Sequence, residues 1–168
     1  MGLSSSTHNA LKSIVGESNL TRDPEELLCY SYDAAGRSHL PQAVIFPETE
    51  AQISKILKLA SDQRVPVVPR GSGSGMTGGA VPIKGGIVLV TSRMNRIIEI
   101  DRENFLVRVQ PGVIVGDLHN AVEKMDLFYP PDPASSSICT IGGNVGECAG
   151  GPRAVKYGVT RDYVLGLR

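Results

Sequence analysis

The 168-residue chain carries 17 Lys and Arg against 17 Asp and Glu, so it has no formal net charge. That length can bury a core but leaves room for only one domain or two small lobes, and the charge balance supplies no basic face for nucleic acid or an anionic membrane. Three cysteines, Cys29, Cys139 and Cys148, contain no C-x-x-C pair and leave a thiol over in any disulfide scheme, which fits a reducing, cytoplasmic setting better than a secreted one.

The start, "MGLSSSTHNA", is polar, lacks the apolar core of a signal peptide and reads as a frayed tail. Gly2 and Ser6 match a loose myristoylation pattern, but one so short that it carries no assignment. No stretch approaches the roughly 18 apolar residues of a membrane span. Asp23, Pro24, Glu25 and Glu26 begin a short helix, because an Asp cap, a proline in the first turn and two acids suit the positive helix end. Residues 1–40 are thus read as an N-terminal helical extension.

A parallel β-α-β unit follows. Ala43 to Phe46 and Val65 to Val68 are short apolar runs, and between them the capping-box pair Thr49 and Gln52 precedes Ile53, Ile56, Leu57 and Ala60 at helical spacing. The second strand runs into "PRGSGSGMTGGAVPIKGG", which bears no charge between Arg70 and Lys84. Gly73, Gly75 and Gly78 spell G-x-G-x-x-G, yet Pro82 and two more glycines stand where the dinucleotide fingerprint needs a helix. Lys84 follows Ile83 and precedes Gly85, which is not a Walker A sequence, and neither Ser72 nor Ser74 is centred in G-x-S-x-G. What remains is a non-helical loop whose consecutive N–H groups form an anion-binding concavity, with glycines removing the Cβ atoms that would hold a diphosphate away.

Gly86 to Thr91 reads as a buried strand, and "IIEIDRENFLVRVQPG" as a hairpin turning at Asp101 to Asn104. Val115, Leu118, Val122 and Met125 then recur at helical spacing until the prolines of "FYPPDP" end the pattern. Residues 130–151 form a second loop rich in small residues. Two such loops more than fifty residues apart suit a long ligand held at two places, as a flavin dinucleotide is. Tyr163, Val164, Leu165 and Leu167 read as a last strand that ends abruptly, an unpaired edge that favours self-association. His8, His39 and His119 are scattered, with His119 read as solvent-facing, and no histidine or cysteine has metal-ligand spacing.

"PRGSGSGMTGG", "PPDPASSSICTIGGNVGECAGG" and "YGVTRDYVLGL", in that order, resemble the FAD-binding domain of the vanillyl-alcohol oxidase and p-cresol methylhydroxylase type. Within that superfamily the chain is most similar to the glycolate oxidase flavoprotein subunit and the D-lactate dehydrogenases. The resemblance implies a two-lobed α+β domain over residues 41–168, with a first lobe of about 41–92 and a second of about 93–168 that is incomplete at its C-terminus. It implies FAD wrapped at its pyrophosphate by Arg70, Gly71, Ser72, Gly73, Ser74, Gly75 and Met76. Asp132, Pro133, Thr140, Gly142, Gly143 and Asn144 would follow the ribityl and flavin portion, with Cys148, Gly151, Tyr157 and Gly158 near it. Cys148 stands where many family members have Asn.

Plainer readings stand beside these. Asp132 could only shape a turn between two prolines, Asn144 could adopt a left-handed turn, and Tyr157 could pack in a core. Family members that tether FAD through the first loop do so with a His near the position of Ser74, so a serine there implies non-covalent FAD. The implied reaction is oxidation of glycolate or D-lactate to the 2-oxo acid, with further oxidase subunits, an iron–sulfur subunit among them. The alternative is a non-catalytic flavin- or nucleotide-binding module. In the family, the base and the carboxylate clamp lie in a C-terminal region, so no catalytic residue is assigned before Arg168 and the chain by itself is expected to be inactive.

Overall fold

The computed structural model describes residues 3–168. The chain divides into one unit up to Met94 and a second from Asn95 to Arg168. The first unit is built on a four-stranded sheet of β1 (Leu20–Thr21), β2 (Ala43–Ile45), β3 (Val67–Arg70) and β4 (Ile87–Val90), in the spatial order β1-β2-β4-β3. β2 and β3 both run parallel to β4, which lies between them, while β1 pairs antiparallel with β2. The predicted β-α-β unit is therefore parallel, but β4 supplies the ladder for both of its strands.

Pleating sends alternate residues of β2 and β4 to opposite faces, and both faces are covered. Ala43, Ile45, Ile87 and Leu89 face α1 (Ser5–Val15) and α3 (Glu50–Asp62), packing with Leu11, Val15, Ile56 and Ala60. Val44, Val88 and Val90 pack with Leu27, Tyr30, Phe46 and Val68 on the other side. The capping box forms as read: the Gln52 N–H donates to Thr49 Oγ1 at 3.2 Å, and the Thr49 N–H donates to Gln52 Oε1 at 3.3 Å. Asp23 likewise caps α2 (Pro24–Cys29), its carboxylate accepting from the Glu25 N–H at 2.9 Å.

The polar start differs from the frayed tail read in the sequence. Ser4 caps α1 by accepting from the Thr7 N–H at 3.1 Å, and Leu3, Leu11 and Val15 are buried in the first core. Polar residues dominate the start because that face is exposed, and the three apolar positions suffice to dock it. The myristoylation pattern begins at Gly2, outside the described residues.

The second unit opens with the hairpin of β5 (Ile97–Asp101) and β6 (Leu106–Val109), whose turn is held by the Asp101 carboxylate accepting from the Asn104 N–H at 3.0 Å. α4 (Val115–Glu123) lays Val115, Leu118 and Val122 inward, and Leu118 and Val122 join Val113 in a core with Ile97, Ile100, Val107 and Val109. Met125, read as part of the stripe, lies beyond the helix end and is exposed. The second small-residue loop contains a helix, α5 (Ile141–Glu147), and a single further turn, α6 (Ala154–Tyr157). The predicted last strand is absent: Thr160–Tyr163 form a 3-10 turn, no regular structure follows, and Leu165 and Leu167 are exposed. Among the described residues that run pairs with no strand; just before it the Val159 N–H donates to Asp162 Oδ2 at 2.8 Å within the 3-10 turn. Among the described residues no helix is long and apolar enough to cross a membrane.

The α3 stripe divides sharply, with Ile56 fully buried and Leu57 47% exposed. Ile56→Ala is expected to lower stability by about 2–4 kcal/mol, and Leu57→Ala by less than about 1 kcal/mol. Urea unfolding of the two variants checks this; equal losses would contradict the packing.

Candidate cofactor site

Arg70 ends β3 and is only 6% exposed. Its Nη1 donates to the carbonyl of Tyr32 at 2.7 Å and to that of Ala80 at 3.3 Å, so one guanidinium ties together the two ends of the Gly-rich loop and a turn between β1 and β2. Burial lowers the Arg70 pKa from its ordinary value, opposed by Tyr30, Tyr32 and Asp33. Gly73 lies directly over this guanidinium at φ +77°, and a Cβ there would overlap Arg70 Nη2 and Cζ. The glycine is required by both its conformation and its contact.

The rest of the loop is as bare as the sequence implied. Residues 71–76 have no helical structure, and among the described residues none of their backbone N–H groups has a hydrogen-bond partner. Ser72 and Ser74 bond each other through their hydroxyls at 3.3 Å, Met76 is exposed, and the Gly75 carbonyl accepts from the Ala34 N–H at 3.0 Å. The backing turn of residues 32–37 escaped the motif reading. Its signal was an Asp followed by small residues and a glycine, as Asp33 Oδ1 accepts from the N–H groups of Ala35 at 3.0 Å and Arg37 at 3.2 Å.

In the second unit Thr140 caps α5 through its hydroxyl, which accepts from the Gly143 N–H at 3.2 Å. Gly142 packs on Pro111, where an added Cβ would come within 2.8 Å of the proline Cβ. Asn144 lies inside α5, not in the left-handed turn considered for it, because Thr140 starts a helix that carries through both glycines. It is 3% exposed, and its side-chain Nδ2 is buried with no partner among the described residues. An orphaned buried donor is costly unless a ligand accepts from it. Cys148 takes the left-handed position instead, at φ +51°, and closes α5.

Asp132 does more than shape a turn. Its carboxylate pairs with Arg153 Nε at 3.2 Å, and its N–H donates to the Gly150 carbonyl at 3.0 Å. Gly151, at φ +103°, could not carry a Cβ without overlapping the Asp132 carbonyl. Pro133 begins the next turn, accepting from the Ser136 N–H at 2.8 Å. Tyr157 is partly exposed and meets the Phe128 ring edge-on at 5.5 Å, and Gly158 has φ +86° where a Cβ would press on the Asp162 carboxylate. His119 is not solvent-facing as read: its Nε2 is 2.9 Å from the Pro131 carbonyl and its ring lies against Tyr129, because α4 turns that position under the "FYPPDP" segment. Burial pushes the Cys139 thiol and the Tyr129 phenol up from their ordinary values, so both stay neutral. Among the described residues no group of three or more His, Cys, Asp or Glu could hold a metal ion.

The profile of the FAD binding domain family matches residues 41–168, which takes in both glycine-rich segments; the backing turn of residues 32–37 precedes the match. The chain belongs to that family. It is 52% identical over 155 residues to glycolate oxidase subunit GlcD of Bacillus subtilis (strain 168), covering 92% of this chain and 33% of that protein. It is 44% identical over 127 residues to D-lactate dehydrogenase of Anaerostipes hadrus, covering 76% of this chain and 26% of that protein. Of the curated relatives it matches, the chain spans about a third of the length or less. The solved structure of p-cresol methylhydroxylase with substrate bound superposes with a TM-score of 0.74 at 24% identity, over 88% of this chain and 31% of the other. The fold is the α+β FAD-binding fold of the vanillyl-alcohol oxidase and p-cresol methylhydroxylase type, and the cofactor is FAD. The residues present fit such a group within each unit: in the first, open N–H groups and a Cβ-free cradle suit a diphosphate, and in the second the buried Asn144 amide is a donor without an acceptor.

Gly73→Val should therefore weaken FAD by about 100-fold or more, the equivalent of about 2.7 kcal/mol of strain and overlap at a left-handed position. The damage comes through Arg70 as well as through the diphosphate path. Exposed Lys58 is the neutral control. Flavin fluorescence titration of Gly73→Val and Lys58→Ala measures both, and parental affinity in the Gly73 variant would contradict the assignment.

Proposed function

We propose that the chain is the FAD-binding part of a cytoplasmic flavin-linked oxidoreductase that converts a small 2-hydroxy acid, glycolate or D-lactate, to the 2-oxo acid. The observation that supports this most is the match of both glycine-rich segments, in order, to a family whose members include glycolate oxidase subunit GlcD and D-lactate dehydrogenase. When bound, FAD supplies the hydride-accepting chemistry. The N–H groups of residues 71–76 bind the diphosphate, and Gly73 and Gly75 let it approach. The Asn144 amide orients the ribityl and flavin portion, while Thr140, Gly142 and Gly143 hold α5 so that Asn144 stays in place. The Asp132–Arg153 pair fixes the "PPDP" turn against Gly150 and Gly151. Cys148, Tyr157 and Gly158 shape the same neighbourhood.

The substrate base and carboxylate clamp come from regions of the relatives that this chain does not span. Further oxidase subunits, an iron–sulfur subunit among them, take the electrons onward, in keeping with a relative named as a subunit of glycolate oxidase.

The test compares this chain with the full-length gene product, each supplied with FAD, a dye acceptor and either glycolate or D-lactate. Turnover is expected in the full-length protein only; activity of the chain within tenfold of it would overturn the division of labour, and a full-length protein inert to both acids would overturn the substrate class. Acid precipitation should release the yellow flavin into the supernatant, since no imidazole stands at Ser74 to tether it.

A further inference from the structure

The diphosphate of FAD brings negative charge to a loop that has none of its own to offset it: no charged residue lies between Arg70 and Lys84. Compensation must come from a neighbouring element or from the ends of the loop. Two arginines flank it, and their commitments differ. Arg70 is buried, and its guanidinium is engaged by the Tyr32 and Ala80 carbonyls beneath the loop. Arg37 lies on the turn that backs the loop, and its side chain runs across Gly78, where a Cβ would stand 3.1 Å from Arg37 Nη1. Gly78 has φ +87°, so its missing side chain leaves room for that arginine.

The turn that carries Arg37 is held firmly. Asp33 Oδ1 accepts from the Arg37 N–H at 3.2 Å, the Asp33 N–H donates back to the Arg37 carbonyl at 3.2 Å, and the Gly36 N–H donates to the Asp33 carbonyl at 3.1 Å. Its register against the loop is set by the Ala34 N–H to Gly75 carbonyl bond at 3.0 Å and by Arg70 on Tyr32. Asp33 is the acid of this turn, but it is buried, spends Oδ1 on two N–H groups, and makes no ion pair with Arg37. The Arg37 guanidinium is exposed and has no hydrogen bond or ion pair among the described residues.

We propose that Arg37 is a ligand-contacting residue of the FAD site, its guanidinium donating to the diphosphate oxygens cradled by residues 71–76. The proposal rests on FAD being the ligand of this loop. A planar guanidinium can present two donors to a phosphate, which lysine does as a point charge only. A preformed turn also lowers the ordering cost of bringing the charge there.

The experiment uses the full-length gene product stripped of flavin, with Arg37→Gln, Arg37→Lys, Lys84→Gln and Gly73→Val. FAD is titrated by flavin fluorescence, and ADP, which carries the diphosphate without the flavin, by competition, each at low and high salt. Arg37→Gln is expected to weaken both FAD and ADP by about 10- to 100-fold and to flatten their salt dependence. Arg37→Lys should recover part of the loss, Lys84→Gln should match the parent, and all thermal midpoints except that of Gly73→Val should be unchanged. Parental FAD and ADP affinity in Arg37→Gln, alongside loss in Gly73→Val, overturns the Arg37 assignment and leaves the FAD reading intact. A weakened Arg37→Gln that keeps the parent's salt dependence, or an equal loss in Lys84→Gln, also overturns it. A parent protein that binds neither FAD nor ADP fails the FAD reading itself.

Discussion

The first unit depends on one buried charge. Arg70 is buried at the end of β3, an edge strand of the first sheet, and a buried guanidinium is costly unless its N–H groups find acceptors. It finds them in two backbone carbonyls, Tyr32 between β1 and β2 and Ala80 at the far end of the glycine-rich loop. That solution brings three distant stretches of chain together. It also explains Gly73, since the loop passes so close over the guanidinium that no side chain fits. The loop stays open because its own N–H groups are not used to hold it; the arginine holds it from below, and the donors remain for an anion.

The second unit meets a similar demand by different means. Here the small residues are partly inside a helix, and they are small because of what they pack on: Gly142 on Pro111, Gly151 on the Asp132 carbonyl, Gly158 on Asp162. The packing of Gly142 on Pro111 keeps α5 in place, and Asn144 is buried on that helix with an amide N–H group to spare. A protein seldom leaves such a group unpaired in its interior, and a resident ligand accounts for it without invoking a fault in packing. The two units therefore differ in the donors they leave open: backbone N–H groups in the first, a buried side-chain amide in the second.

Much of this was legible in the amino-acid order. The Asp23 cap of α2, the capping box of α3, the apolar spacing of α3 and α4, the hairpin turning at Asp101, and the non-helical first loop all follow from local rules, since each depends on residues within a few positions of one another. The pattern failed where local preference was overridden. Gly142 and Gly143 argue against a helix, yet α5 forms because the Thr140 cap and the packing against Pro111 outweigh their propensity. Tyr163 to Leu167 looks like a strand by composition, but no partner strand pairs with it and the preceding 3-10 turn redirects the chain. The polar start becomes a helix on the strength of a cap and three buried apolar residues.

The sequence by itself determined the composition of the site: a charge-free, glycine-rich loop after a strand, a second small-residue segment with Asn144, and a family resemblance that named FAD. Only the tertiary structure decided which groups are committed and which are left to act. Arg70 and Arg37 are equivalent as letters, but one is spent on carbonyls beneath the loop while the other lies exposed across Gly78. Hydrogen-bond commitment depends on what the fold brings within about 3 Å, often from tens of residues away, and no local pattern encodes that distance.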